Sequence, residues 1–242
     1  MHIEIKGNKN GKKVLLLPGM FQSADCFESL CDFMNEYCLV LVTYNAHDAQ
    51  KKEFKSFAHE MYSLENVLKK LHMTEFEMIV GFSMGGILAI NLARRGRIST
   101  KKIFTDNLKT VKPFFRRTVY CREVVRNRLF SLWAKGPFKK KLLLDKCYST
   151  QWATIMQRNA GDMSFSTVKN LTWDMVRYAL PKELNFPIRY FYGSEDDKSY
   201  MRKLLRMYPN ADIRVKEGYK DLSYLDRQPV EYAAMLKEYM SL

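Results

Sequence analysis

Short apolar runs alternate with stretches of helical periodicity along most of this chain. Residues 3–6 and 13–17 carry strand patterns and flank Gly7-Asn8-Lys9-Asn10-Gly11, so the two read as a hairpin. Residues 24–37 show helical spacing, and 38–44 (CLVLVTY) form an unbroken apolar strand. Residues 54–71 predict a long amphipathic helix, with Phe54, Phe57, Ala58, Met61, Leu64, Val67 and Leu68 on one stripe. Strands at 77–80 and 102–106 bracket a helix at 85–95. Strands at 187–192 and 212–216 then alternate with helices near 199–208 and 229–239. Strands this apolar, without in/out alternation and separated by helices, predict an α/β protein. Its central sheet is mostly parallel, with helices on both faces.

The alternation breaks between residues 108 and 181, where the pattern is helical throughout. An insertion between two strands at their carboxyl ends covers the place where such sheets bind ligands, so it is expected to be a helical cap, or lid. The chain thus divides into a core of residues 1–107 and 182–242 and a cap insertion of residues 108–181.

A length of 242 residues suits one such domain, and a 47% hydrophobic share excludes disordered and collagen-like chains. No run approaches the roughly 18 apolar residues of a membrane span. The start, Met1-His2-Ile3-Glu4-Ile5-Lys6, is unlike a signal peptide. Five cysteines without close pairs indicate neither a disulfide framework nor a zinc site, and the expected setting is cytoplasmic. Charge alters the picture more. Between Arg94 and Lys146 stand 17 basic residues and three acids, which accounts for the whole net charge of +14. This is a basic protein because one segment is basic.

The candidate chemistry lies at residues 77–89. There Gly81-Phe82-Ser83-Met84-Gly85 makes a G-x-S-x-G turn between an apolar strand and a helix start rich in small residues. Such a turn strains its central residue, and its glycines let strand and helix close up. The serine hydroxyl is then presented at the sheet's top edge, beside a helix N-terminus.

Two further segments join this motif in a likeness. Val14-Leu15-Leu16-Leu17-Pro18-Gly19-Met20 resembles the strand and oxyanion loop of the α/β-hydrolase superfamily, with Pro18-Gly19 where His-Gly is commoner. Tyr190-Phe191-Tyr192-Gly193-Ser194-Glu195-Asp196-Asp197 resembles that family's acid-bearing segment. The whole chain is similar to the single-domain form with a helical cap. The resemblance implies the α/β-hydrolase fold and a serine nucleophile at Ser83. The backbone N–H groups of Met84 and Met20 would form the oxyanion hole, and Asp196 would be the orienting acid. Asp106, at the end of the preceding strand, is an alternative acid. A carboxylic ester or thioester with a hydrophobic acyl group is the implied small-molecule substrate, as for an esterase, with no metal and no organic cofactor.

At one position the resemblance fails. Residues 216–232 align without a gap to the loop that bears the family's histidine and put Asp221 in its place, and no histidine follows His72. His2 falls in the first strand, His47 where the family carries a structural histidine, His59 in a helix and His72 at a helix end. A serine hydroxyl is a weak nucleophile until a base takes its proton. An aspartate with a pKa of about 4 is a poor one. A proton shared by Asp196 and Asp221, or a desolvated Lys220, are routes to activity. Two readings therefore stand: a serine hydrolase with a degenerate triad, and a catalytically impaired pseudohydrolase that binds a ligand or partner.

Residues 114–133 mix Phe114, Phe115, Val119, Val124, Val125, Leu129, Phe130 and Trp133 with Arg116, Arg117, Arg122, Arg126 and Arg128. Lys135, Lys139, Lys140 and Lys141 follow. This composition fits an amphipathic surface for anionic membranes, or a funnel for an anionic substrate. Nucleic acid is disfavoured because no recognition module accompanies the charge. The plain alternative is a cap with a solvated basic face.

Overall fold

The computed structural model describes residues 1–47, 52–111, 113–134 and 148–242. Seven strands form one sheet: β1 (His2–Gly7), β2 (Lys13–Leu17), β3 (Cys38–Thr43), β4 (Glu75–Phe82), β5 (Ser99–Asp106), β6 (Ile188–Gly193) and β7 (Asp212–Lys216). Their order is β1-β3-β2-β4-β5-β6-β7. All neighbours are parallel except β1, which runs antiparallel on β3. β3 and β6 are buried end to end, as expected of parallel strands covered on both faces.

The hairpin expected of β1 and β2 does not form. β3 lies between them, and β1 pairs with β3 from His2↔Thr43 to Gly7↔Cys38. Gly7 turns the chain out of β1 with φ +72°, a conformation open to glycine. The Asn8 N–H then bonds the Asn35 and Tyr37 carbonyls, so the turn wraps over the start of β3 before β2 begins. β1 is half-exposed and takes the sheet edge, whereas apolar β2 takes the middle.

Helices follow the strands as α1 (Glu28–Cys31), α2 (Phe57–Lys70), α3 (Met84–Arg95), α4 (Arg116–Trp133), α5 (Thr150–Gly161), α6 (Phe165–Arg177), α7 (Lys198–Met207), α8 (Ser223–Arg227) and α9 (Pro229–Ser241). The stretch read as helical at 24–37 holds only a 3-10 turn, Ala24–Phe27, and α1. α2 starts at Phe57 rather than Phe54, because Ser56 caps it by accepting the His59 N–H. α2 lies beside α3 on one face of the sheet and α1 beside α9 on the other. On the α9 face Phe82, Phe104 and Phe191 meet the Tyr232 ring, which ties the helix to three adjacent strands. Among the described residues no helix is long and apolar enough to cross a membrane.

α4, α5 and α6 lie between β5 and β6 in the chain, and α4 packs on the other two. Their attachment to the rest is polar and specific. Asp174 of α6 accepts the Phe57 N–H at 2.5 Å, and Thr167 accepts the Phe54 N–H at 3.2 Å. Ser149, which caps α5, holds Asp226 of α8. Asp174 thereby satisfies one of the first-turn donors of α2, which have no partner within their own helix. Asp174→Ala leaves that N–H buried and unpaired, and should lower stability by about 1–3 kcal/mol. Chemical denaturation of the two proteins checks this.

Candidate functional site

Parallel register brings the carboxyl ends of β2, β4, β5 and β6 into one row, with Leu17 opposite Gly81, Phe82 opposite Asp106, and Asp106 opposite Phe191. Ser83 stands one residue beyond β4 with φ 47° and ψ −103°, a strained conformation for any residue with a side chain. Its neighbours hold it there. Its N–H donates to the Asp106 carbonyl at 2.8 Å, and its carbonyl accepts from Gly86 N–H at 3.1 Å. A Cβ on Gly81 would lie 2.4 Å from the Gly85 carbonyl oxygen, and one on Gly85 would lie 2.1 Å from that of Leu17. Both glycines are thus required by contact. Ser83 is partly exposed, whereas Met84 behind it is buried. As the first residue of α3, Met84 has an N–H with no carbonyl to bond within the helix.

Beside this turn passes the loop after β2. The Gly19 N–H donates to Gln22 Oε1 at 2.7 Å and the Gln22 N–H returns to the Gly19 carbonyl at 3.2 Å, which folds Met20 and Phe21 into a tight bend. A Cβ on Gly19 would be 3.3 Å from the Phe82 carbonyl, so the bend lies against the residue before Ser83. Phe21 takes φ +67°, with its N–H held by His47 Nε2 at 3.2 Å. Nδ1 of the same ring faces the Asn45 carbonyl at 3.1 Å. That pair of bonds requires the neutral imidazole with its proton on Nδ1. His47 is therefore committed to the loop's shape. His2 and His72 are exposed and His59 partly so, on β1, after α2 and within α2 respectively.

Two loops on the far side of Ser83 are stitched together. The Ser194 N–H bonds the Lys216 carbonyl at 2.9 Å, the Glu195 N–H bonds that of Tyr219 at 3.1 Å, and the Gly218 N–H reaches Ser194 Oγ at 3.0 Å. The Asp196 carboxylate faces inward and accepts two backbone N–H groups, from Gly193 at 2.8 Å and from Asp221 at 2.7 Å. Burial raises its pKa against those two bonds, and the charge of Asp221 raises it further. Asp197 next to it only caps α7.

Asp221 adopts φ 51°. Its Oδ1 accepts from Asn107 Nδ2 at 2.8 Å and from Lys109 Nζ at 2.8 Å. Tyr192 fixes that segment beside β6 by donating its hydroxyl to the Leu108 carbonyl at 2.8 Å. Tyr148 is buried nearby against the Leu222 N–H, and burial pushes its pKa up. Below them Asp106 is fully buried, with one oxygen bonded to the Tyr232 hydroxyl at 2.9 Å and the other without a partner. Burial drives its pKa well above the usual carboxyl range, and the charges of Asp196 and Asp221 push the same way. Lys109 thus pairs directly with Asp221 and lies within electrostatic reach of Asp106 and Asp196. Among the described residues no group of three His, Cys, Asp or Glu side chains is arranged to hold a metal ion.

No protein-family model and no curated protein sequence matches this chain. Solved structures do. An α/β hydrolase from a Medee basin deep-sea metagenome library is 15% identical, covers 100% of this chain and 94% of its own, and has a TM-score of 0.78. MenH from S. aureus is 15% identical over 99% and 98% of the two chains, with a TM-score of 0.75. A thermophilic esterase from Thermogutta terrifontis is 17% identical over 99% and 92%, with a TM-score of 0.74. This chain has the α/β-hydrolase fold.

Ser83 and Met84 share the turn after β4, the bend that holds Met20 lies beside it, and Asp196 and Asp221 lie on one pair of stitched loops. Sequence reasoning passed over Asn107, Lys109, Tyr148 and Tyr232. Their signal was weak, since Asn107 and Lys109 merely follow a strand end, and Tyr232 reads as one apolar position of a helix. Asp106 supplies a test. The folded chain holds its proton more tightly than the unfolded chain, so its contribution is greatest below the ordinary carboxyl range and is lost as pH rises toward the shifted value. Asp106→Asn keeps the shape without the ionisation. It should flatten that loss and raise the melting temperature at neutral pH by about 2–4 °C for each kcal/mol regained; melting curves from pH 4 to pH 8 read it.

Proposed function

We propose that this chain is a slow serine acyl hydrolase acting on small-molecule thioesters or esters with a hydrophobic acyl group, with Ser83 as nucleophile. The observation that carries the reading is the strained Ser83 turn with its two contact-forced glycines, packed against the bend at Gly19 and Met20. In this reading the Ser83 hydroxyl gives its proton to solvent as Oγ attacks the acyl carbon, the bond to the alkoxide or thiolate leaving group then breaks, and water hydrolyses the resulting acyl-serine, a route that is slow because no side chain takes the proton. The N–H groups of Met84 and Met20 receive the developing oxyanion, where one such donor is worth about 10²–10³ in rate. Esterases among the structures of this fold are consistent with it. α4 and α5 act as part of the lid in this reading, a role supported by Asn159 of α5, which bonds the Phe21 carbonyl at 3.1 Å, and by Phe130 of α4, which stacks on the Phe21 ring at 4.9 Å.

The missing imidazole shapes the substrate. The Asp221 carboxylate, which stands where the family's histidine would, is engaged by Lys109 at 2.8 Å and by Asn107 at 2.8 Å, so the place of the base is taken by an ion pair. Without a general acid the leaving group departs unprotonated. Thiolates, with a conjugate-acid pKa of about 8.5, do so far more readily than alkoxides, which favours thioesters and aryl esters over alkyl esters. A second reading rests on the same ion pair: a pseudohydrolase that binds an acyl compound at Ser83 without turnover.

A fluorophosphonate probe should label Ser83 slowly, and Ser83→Ala should abolish labelling. Asp221→His should raise ester turnover by about 10² or more, with the larger gain on alkyl esters, because a base beside Asp196 supplies the missing proton transfers. Acyl-ligand binding by folded protein that stays unlabelled from about pH 6 to pH 9 would establish the second reading instead.

A further inference from the structure

From the outer face of α4 we infer a docking surface for anionic lipid bilayers, independent of the chemistry at Ser83. α4 is an 18-residue helix, and at about 100° per residue its exposed positions fall into one ordered pattern. Cys121, Val125, Leu129 and Leu132, with Thr118, make a central stripe about 80° wide and roughly 20 Å long. Val125 and Leu132 are 58% and 57% exposed. Arg117 and Arg128 line one edge of the stripe, and Arg122 and Arg126 line the other. Phe114, 89% exposed, stands with Phe115 at the N-terminal end. Phe165, half-exposed at the start of α6, extends the patch between Arg128 and Lys169. The single acid of the helix, Glu123, bonds both Arg122 and Arg126 at 3.0 Å, and with Arg117 and Arg128 on the other edge the face keeps a surplus of positive charge.

The opposite face of α4 is already occupied. Asn127 bonds Thr172 at 3.1 Å and Ser131 bonds the Ala160 carbonyl at 2.7 Å, which fixes α4 to α6 and α5. The arginine-edged stripe therefore points away from α5 and α6. A second copy of this chain is a poor occupant of it, because two such faces would bring their arginine edges together. A bilayer with anionic headgroups fits both features. Val125, Leu129, Leu132 and Phe114 enter the acyl boundary, while the flanking arginines reach phosphates on either side. Arginine suits this place because its stem lies along apolar surface while its guanidinium stays at the headgroups.

Flotation of the full chain with vesicles tests this. Vesicles of phosphatidylcholine with about a third phosphatidylserine should bind the protein, pure phosphatidylcholine should not, and added salt should weaken the binding. Val125→Glu with Leu129→Glu, and separately Arg117→Gln with Arg122→Gln and Arg126→Gln, should each weaken binding at least about tenfold with melting unchanged. Absence of binding to the anionic vesicles at low salt overturns the proposal. Binding that survives Val125→Glu with Leu129→Glu overturns it too, since diffuse charge would then suffice. So does a dimer in light scattering that the same pair of substitutions dissociates.

Discussion

A Cβ on Gly85 would stand 2.1 Å from the Leu17 carbonyl, so α3 approaches β2 more closely than any residue bearing a side chain allows. This contact governs the candidate site. With α3 drawn so tightly against the sheet, the chain must leave β4 and enter the helix within one residue. That residue, Ser83, absorbs the turn in its own backbone at a cost of about 1–3 kcal/mol. The same closeness sets the Gly19–Gln22 bend against the end of β4. A partly exposed hydroxyl, a helix N-terminus and a bent loop of backbone amides follow from packing before any chemistry is considered.

A second constraint shapes the other half of the site. The loops after β6 and β7 are bonded backbone to backbone, and a Cβ on Gly193 would lie 2.0 Å from the Tyr219 carbonyl. Asp196 and residue 221 are neighbours for that reason whatever stands at 221. With aspartate there, Asp196 keeps the backbone N–H of 221 as partner, and the 221 side chain turns to Lys109 and Asn107. Lys109 pairs with Asp221 and offsets its charge, and burial pushes the pKa of Asp106 upward. The electrostatics are self-consistent without an imidazole, which is why the proposed chemistry leans on the leaving group.

Much of this was legible in the sequence for a physical reason. Unalternating apolar strands and G-x-S-x-G between strand and helix are local patterns, and parallel register converts them directly into a crest with Ser83 upon it. The misread hairpin shows the limit: Gly7 to Gly11 has turn chemistry, but nothing local says that β3 will insert between the two strands it joins. Lys109 and Asn107 were illegible for a related reason. Their partner Asp221 lies 112 and 114 positions away, and only the stitched loops bring it within 2.8 Å. His47 is the intermediate case, its position readable and its bond to Phe21 visible only in the fold.

In the proposed reading the strained turn aims the Ser83 oxygen toward the amides of Met84 and Met20. A crystal structure of the protein after reaction with an alkyl fluorophosphonate measures this directly. The expected adduct has a tetrahedral phosphorus on Ser83 Oγ, with one phosphoryl oxygen about 3 Å from both N–H groups. An adduct on another residue, or a phosphoryl oxygen directed away from both amides, would contradict it.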